Sequence, residues 1–547
     1  MRWPLLAAVP IAIAAQAQLS RTLERIEVSV IEVDVVVLDA QGKPVSGLGS
    51  KDFELRVRGR KRPITNFYEV NRRADETRAT TNASQAAPVA RRDYLVLFID
   101  NLHLNQHEKK RALDALRTFV GQHVRPGTAA MLVASDGDVR ILQRFTEDAG
   151  SIVRAIDAFE RRPAHGNEHD RERRELLNYI DVVRRLCQDP KQRDCPAETI
   201  PSRIEALAQL EQHMVERTMN ALGQITAVVS GLDGRRVLVY VSDGLPMQPA
   251  VEVFQYFKPE EFMRDDNFVT MRVLQQSQPL DAMKTNLSSK FHDLGRRAAS
   301  AGVQFFAIDA RGVQGFDEGV ENSAASSRLD SSLIRANLHG PIQLLADETG
   351  GQAIIDTNDM GIAFAKLDEH LSTYYSLGFR SEGSGREDDI NVNVKRRGLT
   401  VRAVKHVRQR STREQIADRV RASLYARIEE NPLDAKVVLT PLPGPQLKAT
   451  IRVPLAKLSI LPARDRAETS FALFLAMMDQ DMRETPVRMF VHRVVPSEFE
   501  ESTQSVTFDI PPGTYVVSMA VTDGYSLQAS YLQREVMIPS LKQGGSP

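Results

Sequence analysis

Apolar and polar positions change rhythm three times along the chain. In "IEVSVIEVDVVVLDAQGKPVSGL" they alternate, then break at Gln41-Gly42-Lys43-Pro44. "FELRVRG" and "RPITNFYEV" follow as further short strands, so residues 18–71 predict an antiparallel β unit. Residues 72–92, "RRADETRATTNASQAAPVARR", have no apolar period and read as a linker.

From 93 onward strands alternate with helices. "DYLVLFID" is apolar without alternation, the pattern of a parallel strand buried on both faces. A helix over about 106–122 follows, with Leu113, Leu116, Phe119 and Val120 on one face. "AAMLVASD" and "VRILQRFT" are strands joined at Gly137. After a helix at 148–160 comes a very polar insertion, 161–204, and then a long helix to about Val229. Strand "RRVLVYVSDG", a second insertion and a helix ending at the C-cap signal Gly302 lead to strand "VQFFAIDARG". Helix "PIQLLADETGG", strand "QAIIDT" and helix "MGIAFAKLDEHLSTYY" complete the series. Residues 93–373 therefore predict an α/β fold, a doubly wound and mostly parallel sheet with one antiparallel edge strand.

The third rhythm is again β. "YYSLGFR", "DINVNVKRR" and "LTVRAVKHV", within 374–408, are expected to complete the N-terminal β unit, since three short strands alone make a marginal sheet. A linker with a helix spans 409–430, and 431–540 holds seven strand patterns at the spacing of a β-sandwich.

Composition narrows the classes. In 547 residues, Lys+Arg and Asp+Glu are both 71, so the net charge is zero and no global pull toward nucleic acid or an anionic membrane exists. The first residues, "MRWPLLAAVPIAIAAQAQ", have the layout of a signal peptide over 1–17, with cleavage after Ala17. Its dozen or so apolar residues, interrupted by Pro4 and Pro10, are too few to span a bilayer. The expected location is the periplasm or outside the cell, with no stable membrane span. The cysteines are Cys187 and Cys195. Close together in an exported chain, they predict a disulfide worth roughly 2–3 kcal/mol in the chain-entropy model.

Two parallel strands end on acids, Asp100 and Asp243, at the end of the sheet where such folds bind ligands. In this order, "DAQGKPVSGLGSKDFEL", "YLVLFIDNL", "VLVYVSDG", "AGVQFFAIDARG", "LADETGGQAI" and "TYYSLGF" resemble a bacterial family of von Willebrand factor A-related (VWFA-related) proteins over nearly all of 30–408. The resemblance implies a von Willebrand A domain whose metal-dependent adhesion site would use Asp-x-Ser-x-Ser, a Thr and a second Asp around Mg²⁺. By position, Asp100 and Asp243 match the acids, but the serine positions hold Leu102 and Leu104. The second loop, near 161–168, has no Thr, and Thr146 lies in a different loop. The adhesion site is thus degenerate, and no cofactor is expected.

Histidines crowd the same rim: His103 and His107 in "NLHLNQHEK", His165 and His169 in "AHGNEHD". With Asp100 or Asp243 they could ligate Zn²⁺ in a metal-dependent hydrolase; otherwise they are solvated loop residues. No G-x-S-x-G elbow, phosphate-cradling Gly-rich loop or zinc-protease helix motif occurs, so the chain is not expected to be an enzyme. The expected function is protein–protein interaction or adhesion outside the cytoplasm, through a rim of Asp100, Asn101, His103, Ser242 and Asp243. A structural envelope module without a rim ligand is the third reading.

Overall fold

Why the central strands are apolar throughout is plain from where their side chains go. In the computed structural model, Tyr94, Val96 and Phe98 of strand β5 enter one core, while Leu95, Leu97 and Ile99 enter another. The structure describes residues 28–71, 92–192, 194–312, 331–382, 385–428, 430–462, 467–494 and 500–539. The signal peptide at 1–17, and all but the last residue of the 72–92 linker, lie outside them. Among the described residues no helix is long and apolar enough to cross a membrane.

β5 (Asp93–Asp100) is central in a six-stranded sheet that also contains β6 (Thr128–Ser135), β7 (Val139–Thr146), β8 (Arg235–Ser242), β9 (Val303–Asp309) and β10 (Ala353–Ile354). The order is β10-β9-β8-β5-β6-β7, and only β7 runs antiparallel. Strand order reverses between β5 and β8. Connections from those two strands leave in opposite directions and open a crevice at their carboxyl ends.

The N-terminal strands join strands from beyond this sheet. β1 (Val28–Leu38) pairs antiparallel with β11 (Thr373–Glu382), from Val28 opposite Glu382 to Val35 opposite Tyr375. β2 (Phe53–Val57) pairs with both β3 (Arg60–Arg62) and β12 (Glu387–Val394). With β4 (Asn66–Asn71), β13 (Thr400–Ala403) and β14 (His406–Arg408) they make two sheets, β13-β1-β11-β4 and β14-β12-β2-β3. Val33, Val35, Leu55, Val57, Leu377 and Val392 share the core between them.

A helix at Thr412–Ala422 starts with a reciprocal cap between Ser411 and Glu414. Its Ile416 and Val420 pack against Val229 and Leu232 on one side and Phe474 and Ala520 on the other. At Gly231 a Cβ would fall 2.2 Å from the Asp418 backbone, so the two helices can approach this closely only at a glycine. Beyond it, one antiparallel sheet of β15 (Lys436–Leu442), β16 (Gln446–Pro454) and β20 (Glu501–Asp509) faces another of β17 (Leu461–Pro462), β18 (Ala467–Met478), β21 (Gly513–Asp523) and β22 (Ala529–Ile538), around a core that includes Leu447, Ile451, Phe471 and Val521. These seven strands and β19 (Arg488–Val494) on β18 fill residues 436–538.

The polar insertion is largely helical. Helix Gly166–Gln188, a 3-10 turn at Pro196–Thr199 and the start of helix Ile200–Val229 pack with helix Val251–Tyr256 from the second insertion. Ile180, Val183, Ile204, Val253, Phe254 and Phe262 form their shared core. Cys187 and Cys195 are joined by a disulfide within it. Charge sits where the apolar cluster ends: Arg173 meets Glu211 at 2.7 Å and Glu252 at 2.9 Å.

Candidate functional site

Asp100 ends β5 and is fully buried. Burial demands donors, and three side chains supply them to one oxygen. Tyr240 of β8 donates its hydroxyl to Asp100 Oδ2 at 2.5 Å, His103 Nδ1 lies 2.8 Å from it, and Ser242 Oγ donates at 3.4 Å. The carboxylate accepts, so an imidazole proton belongs on Nδ1. Burial and the neighbouring Asp100 push the Tyr240 phenol well above its ordinary range, which keeps it a donor.

Asp243 follows β8 and is also buried. Its Oδ2 accepts the backbone N–H of Asn105 at 2.9 Å, and burial raises its pKa well above the usual carboxylate value, although Arg311 opposes the shift. The turn behind it needs Gly244: φ is +103°, and a Cβ would stand 2.9 Å from Cβ of Leu338. A third strand end has the same chemistry. Asp309 of β9 is fully buried and lies 3.0 Å from His339 Nε2. Its signal was in plain view, because "VQFFAID" repeats the pattern of "YLVLFID".

The loop after β5 is clamped from above. His165 donates its backbone N–H to Asn101 O at 3.1 Å, and Gly166 donates to Leu104 O at 3.0 Å. A Cβ on Gly166 would lie 2.7 Å from the Leu104 backbone, so the cap can rest this close only on a glycine. Asn101 Nδ2 donates to Asp136 at 2.6 Å and to Pro163 O at 2.8 Å. Leu102 and Leu104 point no oxygen anywhere. Both are buried, and Leu104 joins the core beneath β5 and β6.

The histidines divide. His103 precedes the helix Gln106–His123, so helical spacing does not pair it with His107, which is exposed on the first turn. His165 is the residue before helix Gly166–Gln188, and His169 is on its first turn. Burial and then the nearby His103 lower the pKa of His169. Among the described residues, no three His, Cys, Asp or Glu side chains converge as a metal ion requires. What remains is a set of polar atoms without partners: Asp100 Oδ1, Asn101 Oδ1, His103 Nε2, Asn105 Oδ1 and Asp243 Oδ1 are buried and make no hydrogen bond among the described residues.

Sequence reasoning singled out Asp100, Asn101, His103, Ser242 and Asp243, and the fold brings all five to one rim. It passed over Tyr240, Asn105 and Thr218, whose Oγ1 stands 3.5 Å from His103 Nδ1. Tyr240 sits inside an apolar run, where a tyrosine is indistinguishable from packing until its hydroxyl partner is known.

No family model and no curated protein matches the chain. Among solved structures it is similar to the conserved hypothetical protein BatB from Bacteroides thetaiotaomicron, at 10% identity over 51% of this chain and 98% of that one, with a TM-score of 0.21. An aerotolerance-related membrane protein from Bacteroides fragilis gives 10% identity, the same coverage and a TM-score of 0.22. Three N-terminal domains of the type V pili tip protein Mfa5 from Porphyromonas gingivalis give 10% identity over 78% of this chain and 74% of that one, with a TM-score of 0.26. At such scores these likenesses carry no weight for function. The chain is a mixed α/β protein with one mostly parallel six-stranded sheet and flanking antiparallel sheets.

Proposed function

We propose that this chain is an exported protein-interaction module built around a von Willebrand A-type domain whose rim works without a bound metal. The observation that carries the reading is the fate of the two serine positions. Leu102 and Leu104 are buried there. A hard divalent cation needs an octahedron of oxygens, and side chains without oxygen cannot supply it. Asp100 Oδ2 already receives Tyr240, His103 and Ser242. Recognition then falls to the loops and helices over the sheet, with the sheet as scaffold.

Calorimetric titration of Mg²⁺ and Mn²⁺ into the full chain tests this, beside capture of envelope proteins with and without chelator. No heat of metal binding and chelator-resistant capture are expected. Micromolar metal binding that vanishes in Asp100→Ala would overturn the reading.

One contact favours a second reading, the hydrolase. His103 is oriented through Nδ1 by Asp100 with Nε2 free, as a general base would be. Turnover in an esterase, phosphatase and peptidase screen, lost in His103→Ala, would establish it.

A further inference from the structure

Zero net charge does not exclude a local excess of cations. Residues 51–62 and 385–410 together hold fourteen Lys and Arg against five Asp and Glu. These runs are remote in sequence, yet the ladder β14-β12-β2-β3 joins them. Arg60, Lys61 and Arg62 are the whole of edge strand β3, and all three are exposed. Arg62 pairs with Leu55, and two residues further along β2 Phe53 pairs with Val394. The exposed turn Lys395-Arg396-Arg397 therefore lies off the end of the ladder toward which β3 runs, across β2 from it.

The nearby acids are already matched. Glu54 holds Arg56 at 2.8 Å and Lys61 at 3.2 Å, Asp388 holds Arg58, Asp52 holds Arg396 at 3.1 Å, and four acids outside the two runs, Asp347, Glu348, Glu414 and Asp418, hold Arg402, Lys405, Arg408 and Arg410. Among the described residues, Arg60, Arg62 and Arg397 make no ion pair, so positive charge is left over along the stripe. Charged residues on an edge strand discourage sheet-to-sheet pairing, and that accounts for β3. It does not account for the 395–397 turn, which lies beyond the ladder.

We infer that this stripe is a docking surface for an anionic membrane, held by lipid phosphate groups. Ten of the fourteen cations are arginine, whose planar fork matches phosphate oxygens in pairs. No large apolar or aromatic side chain of either run is exposed, so the stripe has nothing to stack on bases or insert between acyl chains. Contact is thus peripheral and electrostatic. The disulfide suits an oxidising compartment, where a phospholipid surface is the abundant array of phosphates.

The test is co-sedimentation of the full chain with phosphatidylcholine vesicles, with and without phosphatidylglycerol. Binding is expected only with phosphatidylglycerol and should fall as salt rises. Arg60→Ser, Arg62→Ser and Arg397→Ser together remove only cations without partners, and should weaken binding about a hundredfold, at about fivefold per charge. Circular dichroism should show this variant folded as the parent. Arg161→Ser, Arg171→Ser and Arg174→Ser, a control on the insertion, should bind as the parent does. Equal binding to both vesicle types, no binding to either, or an unaffected stripe variant would overturn the inference. So would capture of inorganic polyphosphate without vesicles, or tighter binding to heparin or duplex DNA than to vesicles.

Discussion

The rim of the parallel sheet and the basic edge of the N-terminal β unit are the two polar concentrations in this molecule, and they are built in opposite ways. At the rim, three carboxylic side chains, Asp100, Asp243 and Asp309, are buried and held by specific donors. At the edge, Arg60, Lys61 and Arg62 stand in solvent. Burial makes each rim hydrogen bond costly to remove, whereas solvent screens each edge charge to little value for stability. A change at the rim should therefore unfold, and a change at the edge should alter only what the surface attracts.

The sharpest way to break that contrast is Asp100→Ala. It strands the Tyr240 hydroxyl and the His103 N–H in a buried site, and should cost roughly 3–5 kcal/mol in denaturant unfolding followed by circular dichroism. A loss below about 1 kcal/mol would mean that water reaches the rim and that the contrast is false.

Leu104→Ser comes next. It restores an oxygen at a position where the adhesion site has serine, yet removes a fully buried side chain from the core. A loss of about 2–4 kcal/mol is expected, with no recovery on adding Mg²⁺. Magnesium-dependent rescue of the melting temperature would show that the site lacked only that ligand.

Cys187→Ser should cost roughly 2–3 kcal/mol, confined to the cap. Hydrogen exchange should quicken within 166–204 and leave β5 and β8 protected; loss of protection in both would make cap and sheet one cooperative unit.

Asp243 gives the smallest and most diagnostic effect. Its folded pKa is raised by burial, so the native state holds its proton where the unfolded chain has lost it. Stability should fall as pH rises above the ordinary carboxylate range, until the folded group also ionises, with a slope of at most about 1.4 kcal/mol per pH unit. Asp243→Asn should flatten that slope. An unchanged pH profile in the variant would show that Asp243 is ionised in the folded protein.

Much of this was legible because burial leaves a simple mark. "YLVLFID" had to be a central parallel strand, since both of its faces enter cores, and its terminal acid had to meet the crevice. The close cysteine pair announced its own bridge. Asp309 was equally legible and was passed over.

The sequence by itself determined most of the elements and the acids at strand ends, because these follow from local period and residue type. Only tertiary structure decided which donors reach Asp100, since Tyr240 and Ser242 come from β8, far along the chain, to join the local His103. It alone converted a polar insertion into a helical cap, where packing against Val253 and Phe254 overrides a sparse apolar pattern. And only strand pairing gathered two distant basic runs into one stripe, because net charge is a sum over the chain while a surface potential depends on which residues are neighbours.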